Sequence, residues 1–201
     1  GDMYHRAVFY FEIPDTLTET VYLRIFDADS AGAHDRWEDG SEARYRAYGK
    51  GAIDWTLRTI ADPLPAATPL ADLSLAEDRY YDNQWRTIAA LNPADGEPKG
   101  LVRYFQLIVD GVKGRGINKY QVFASAQDKE NKALDGLRMF SPIVMLYLPK
   151  APEMATQLRF AIPAQAQYVE IFNFDADLEQ KQATLHFETQ FTQNIAIDSS
   201  I

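Results

Sequence analysis

The chain has no cysteine, which excludes thiolate zinc sites, cysteine nucleophiles and disulfide scaffolds. That absence is neutral on compartment, because many exported bacterial domains also lack cysteine. No apolar stretch approaches the ~18 to 20 residues that cross a bilayer, so no membrane span is expected. Cationic runs are missing as well. Against 29 Asp plus Glu stand only 20 Lys plus Arg, and a net charge of −9 would on average repel a nucleic-acid backbone. Histidine is scarce, and His5, His34 and His186 are scattered, with no serine in a nucleophile-elbow context. A non-enzymatic role is expected, although the many carboxylates leave a glycosidase open. The N-terminus lacks a basic-then-apolar signal segment. Gly1 and Asp2 precede Met3 and a strand-like run begins almost at once, as in an exported chain whose leader was trimmed, so an extracellular or periplasmic setting is expected. The alternative is a domain excised from a cytoplasmic protein.

What is present is β-sheet chemistry. Aromatic and β-branched residues cluster in short runs bounded by Pro, Gly, Asp and Asn, among them "RAVFYFEI", "TVYLRIF", "ARYRAYG", "WRTIAAL", "LVRYFQLIV", "NKYQVFA" and "ATLHFETQF". In "TVYLRIF" the alternation puts Val21, Leu23 and Ile25 on one face and Tyr22, Arg24 and Phe26 on the other. The fold class expected is all-β. With 201 residues there is room for one large β domain or two small ones, either able to bury its own core.

Local signals add detail. "WRTIAALNPADGEPKGLVRYFQLIVDG" reads as a long-looped hairpin, and "VDGVKGRGIN", which lacks the lysine and helix of a phosphate-binding loop, reads as a hairpin turn. The proline-rich run 61–75 belongs to a surface loop, and Ser74 with Glu77 forms a capping box for a short helix through "EDRYYDN". The polar run 125–136 is the candidate domain boundary.

The chain also resembles itself. Residues 11–29, "FEIPDTLTETVYLRIFDAD", match residues 160–177, "FAIPAQAQYVEIFNFDAD", at Phe, Ile, Pro, Val, Phe, Asp, Ala and Asp, allowing one deletion. This predicts two related β-sandwich, jelly-roll-like units, residues 2–126 and 127–201. The second is short, so it either shares strands with the first or is cut.

The first copy runs into an acidic loop, "IFDADSAGAHDRWE". Counting Asp27 as position one, acids stand at one, three, nine and twelve (Asp27, Asp29, Asp35 and Glu38), with Gly32 at six and the Ala33 carbonyl at seven. A hard cation such as calcium takes six to eight oxygens, and this spacing supplies them. The strand-like flanks argue against an EF-hand, so a strand-loop-strand frame is expected. The competing readings are a solvated set of Asx turns, or another metal through His34. The second copy keeps Asp175 and Asp177 but loses the glycine and the later acids, so one site is expected.

"AVFYFEIP", "VYLRIFDAD", "YFQLIVDG" and "GVKGRGINKYQVFAS" together resemble the secreted bacterial β-sandwich modules of the pre-peptidase C-terminal type, over most of residues 7–126 and more faintly over 155–177. The resemblance implies a jelly-roll-like sandwich, calcium held by acidic loop residues (here Asp27, Asp29 and Asp35), and a role in stabilising, secreting or targeting a neighbouring domain. The proline-rich insertion and "YYDNQW" depart from that pattern.

The leading expectation is therefore a non-catalytic exported accessory module, with one structural calcium ion and the flanking domains of a larger protein as partners. Two others stand beside it. One is a carbohydrate-binding module, since among Trp37, Trp55, Tyr80, Tyr81 and Trp85 the residues Tyr80, Tyr81 and Trp85 fall in a polar loop setting where flat rings could stack on sugars. The other is a structural or adhesion domain.

Overall fold

The computed structural model describes residues 5–27, 42–76, 79–114, 120–142, 183–187 and 193–197. The chain falls into two compact units, Gly1–Leu146 and Tyr147–Ile201.

In the first unit the strands are β1 (Arg6–Pro14), β2 (Val21–Asp27), β3 (Glu42–Tyr48), β4 (Ala71–Ala76), β5 (Gln84–Leu91), β6 (Glu97–Lys99), β7 (Val102–Lys113), β8 (Tyr120–Ser125) and β9 (Arg138–Phe140). Single 3-10 turns lie at Arg79–Tyr81 and Pro93–Asp95. The all-β expectation holds. One antiparallel sheet runs β4-β3-β7-β1-β9 with β6 added to β7, and a second runs β5-β2-β8.

The two sheets share one core, which makes the unit a sandwich. Val21, Leu23 and Ile25 of β2 point inward as their alternation predicts, and meet Phe11 and Ile13 of β1 and Phe105, Leu107 and Val109 of β7. Each fully buried aliphatic or aromatic side chain there contributes about 1.5–3 kcal/mol.

β1 and β7 read as continuous apolar runs rather than alternating ones because the large sheet is covered on both faces. Its outer face carries Val8, Tyr10, Tyr48 and Ile108, packed under Leu57 with Ala52, Ile53 and Leu64. These last four belong to the segment 49–70, a strap laid across the sheet. The expected proline-rich surface loop therefore ends at Leu70, and its last residues are strand β4.

Both expected hairpins are corrected. β5 lies in the small sheet and β7 in the large one, so the chain crosses between sheets at "NPADG", and the hairpin partner of β7 on this side is the short strand β6. β7 and β8 are likewise in different sheets, so the glycine-rich connection after Lys113 also crosses. Sequence proximity favours a hairpin, but each crossing lets a strand bury its apolar face against the opposite sheet. The capped helix is also corrected: Ser74 lies within β4, and among the described residues of "EDRYYDN" the only helical turn is the 3-10 turn Arg79–Tyr81.

The polar run 125–136 lies on the first unit. Ser125 Oγ donates to Glu130 O and accepts from Gln127 N and Lys132 N, and Thr87 Oγ1 donates to Asp128 O. Beyond it β9 pairs with β1, setting Phe140 opposite Tyr10 and Arg138 opposite Glu12. The compact unit continues past residue 126, to Leu146.

In the second unit, β10 (Ala183–Phe187) and β11 (Gln193–Ile197) form an antiparallel pair. Residues 160–177, the second copy of the internal match, lie outside the described residues.

Candidate functional site

The two strands expected to flank the acidic segment are present. Asp27 closes β2 and Glu42 opens β3, and these strands belong to opposite sheets. The segment between them therefore joins the two layers at one end of the sandwich. At that end Asp27 pairs with Gln84 at the start of β5 and with Tyr120 at the start of β8. Asp29, Ala33, Asp35 and Glu38 lie outside the described residues, as does His34. Among the described residues no group of three or more His, Cys, Asp or Glu gathers at a spacing suited to a metal.

Tyr80, Tyr81 and Trp85 do not form one platform. Tyr80 is 72% exposed and meets Tyr81 edge-on, with ring centroids 5.0 Å apart. The Arg86 guanidinium lies 4.3 Å from the Tyr81 ring centroid. Trp85 is half-buried on the outer face of the small sheet, where its ring contacts are Phe26 (5.6 Å) and Phe123 (6.0 Å). Arg24, on the same face, is only 4% exposed; it donates to Asn131 Oδ1 and to Trp85 O, while its Nε has no partner among the described residues.

A second aromatic group, on the outer face of the large sheet, was not legible as a group in the sequence. Tyr10 stacks on Trp55 (4.8 Å between centroids, planes 10° apart) and on Phe140 (5.3 Å, 23°), and Trp55 meets Tyr104 edge-on at 5.1 Å. The residues come from β1, the strap, β7 and β9, so no local spacing announces them. Trp55 and Phe140 are 39% and 44% exposed.

Polar groups surround those rings. The Tyr104 hydroxyl donates to Glu12 Oε2 at 2.9 Å, and Arg138 lies 3.9 Å from the other oxygen of that carboxylate. Lys99 Nζ stands 5.3 Å from the Trp55 centroid. Burial and the bond to Glu12 raise the Tyr104 pKa above the ordinary phenol value.

The strap that carries Trp55 is fixed by polar hooks. The Tyr10 hydroxyl donates to Asp54 O (2.9 Å), and Arg6 Nη1 donates to Thr59 O (3.0 Å) and Asp62 O (2.7 Å). Arg6 also makes a paired contact with Asp110, at 2.6 and 3.0 Å, and Arg46 reaches the same carboxylate at 2.7 Å. The strap's own carboxylates are ordered too: hydrogen bonds from Thr56 hold the Asp54 pKa below the ordinary range, and the backbone N–H groups of Thr59 and Arg58 do the same for Asp62.

No family model, curated protein or solved structure matches the chain. Among the described residues no helix is long and apolar enough to cross a membrane.

Proposed function

We propose that the chain is a non-catalytic β-sandwich accessory module of a larger exported bacterial protein, stabilised by one calcium ion in the loop that begins at Asp27. The observation that carries this reading is the crossing of the acidic segment from the small sheet to the large one, between β2 and β3. A cation taken up by Asp27, Asp29, Asp35, Glu38 and the Ala33 carbonyl would tie the two layers together at that end. Extracellular calcium reaches levels that fill loop sites with a Kd of about 10⁻⁴ to 10⁻³ M, which suits an exported setting.

The test is a thermal melt with calcium and with chelator. Calcium at about one hundred times Kd stabilises by about 2.7 kcal/mol, which for a protein of this size raises Tm by roughly 5–10 °C. Equal midpoints in the two conditions would refute the calcium role.

A further inference from the structure

The rings on the outer face of the large sheet stand apart from the acidic loop and from the core. Tyr10 is 2% exposed and fixed by its bonds with Asp54 O and Gln106 Nε2, so Trp55 and Phe140 stack on an immobile base. Rings held this way lose little entropy when a ligand arrives. The exposed rings on this face are Trp55 and Phe140, and the charged groups of Lys99, Glu12 and Arg138 stand close by. A flat ring also stacks nucleobases, yet the net charge of −9 opposes a phosphate backbone.

We propose that this face is a saccharide-binding subsite in which a pyranose ring stacks on Trp55, with Lys99, the Glu12–Tyr104 pair and Arg138 at its rim. A pyranose presents C–H groups on one face and hydroxyls around its edge. The C–H groups carry partial positive charge and suit the electron-rich face of an indole ring. Lys99 Nζ already lies over the Trp55 ring, which shows that the ring accepts a positively polarised partner. Lys99 is exposed, with a long flexible stem, so its ammonium is free to swing from the ring to a sugar hydroxyl. Around the edge, Glu12 accepts and Arg138 donates, which matches hydroxyls that do both. This subsite lies away from Tyr80, Tyr81 and Trp85, the three aromatics that the sequence placed in a polar loop setting.

The subsite takes only its setting from the accessory reading. The experiment is depletion of the full chain from solution by microcrystalline cellulose, chitin and insoluble xylan, each with excess calcium and with chelator. At least one polymer is expected to retain the wild-type protein. Trp55→Ala should lower the affinity about tenfold or more, the scale of one lost anchor. Phe140→Ala should lower it less, and Trp85→Ala and Tyr80→Ala should leave it unchanged.

Trp55→Phe guards against misfolding of the alanine variant: it keeps a ring on Tyr10, should melt close to wild type and should bind measurably more weakly. Retention by none of the polymers overturns the proposal. So does unchanged binding of Trp55→Phe, or a loss confined to Trp85→Ala. A calcium-dependent melt without retention refutes the subsite alone, whereas retention without any calcium effect refutes the calcium role alone.

Discussion

Gln106 pairs with the backbone of Asp54 in both directions: its Oε1 accepts from Asp54 N at 3.1 Å and its Nε2 donates to Asp54 O at 2.7 Å. One amide side chain on β7 thus imitates a strand neighbour and holds the strap to the sheet. Gln106 is fully buried, and its Nε2 also reaches the Tyr10 hydroxyl at 3.1 Å. Replacement by Leu keeps the volume but strips Asp54 N of its partner in an apolar setting. Each unsatisfied buried group costs about 1–3 kcal/mol. Gln106→Leu should therefore lower stability by about 2–4 kcal/mol in urea unfolding; an unchanged midpoint would show that the strap does not depend on this pairing.

Asp110 compensates two guanidinium groups on a sheet face where Arg6 and Asp110 side chains are 3% and 7% exposed. Asp110→Asn leaves both arginines without full compensation, and breaking a buried pair costs about 3–5 kcal/mol. The double variant Arg6→Met with Asp110→Leu should recover part of that loss, since apolar replacement removes the desolvation cost from both sides. A double-mutant cycle in urea reads the coupling, and strictly additive losses would contradict it.

Arg24 is the opposite case, a cation 4% exposed that makes no ion pair among the described residues. Arg24→Met removes a desolvated charge and keeps the stem that packs beside Trp85. The urea midpoint should stay within about 1 kcal/mol of wild type or rise. A fall of more than about 2 kcal/mol would mean that the hydrogen bonds to Asn131 and Trp85 outweigh the burial of charge.

Asp54 and Asp62 have folded pKa values below the ordinary carboxylate range, so their ionised forms favour the fold. Their contribution is complete above the unfolded carboxylate value, near pH 4, and is lost as pH falls through the lower folded values. Acid should therefore loosen the strap first. Trp55 fluorescence in a Trp37→Phe, Trp85→Phe background should report this below about pH 4, and Asp62→Ala should make the same strap looser at neutral pH. A signal flat down to the global acid transition would argue against it.

Much of the fold was legible because β periodicity is local. The alternation of Val21, Leu23 and Ile25 against Tyr22 and Phe26 needs only neighbouring residues, and the same holds for the strand flanks that argued against an EF-hand. The hairpins were misread because a strand's sequence states its two faces but not its neighbour. Nothing in "WRTIAAL" distinguishes pairing with β2 from pairing with β7.

What the sequence by itself determined is the strand content, the inward faces and the two strands that flank the acidic segment, all set by side-chain period and turn chemistry within a few residues. Tertiary structure alone decided that β5 and β7 part into different sheets. It also decided that a proline-rich segment closes the outer face, and that Tyr10, Trp55, Tyr104 and Phe140 meet. Those outcomes depend on which distant apolar and polar surfaces fit one another, a complementarity in three dimensions that no spacing along the chain records.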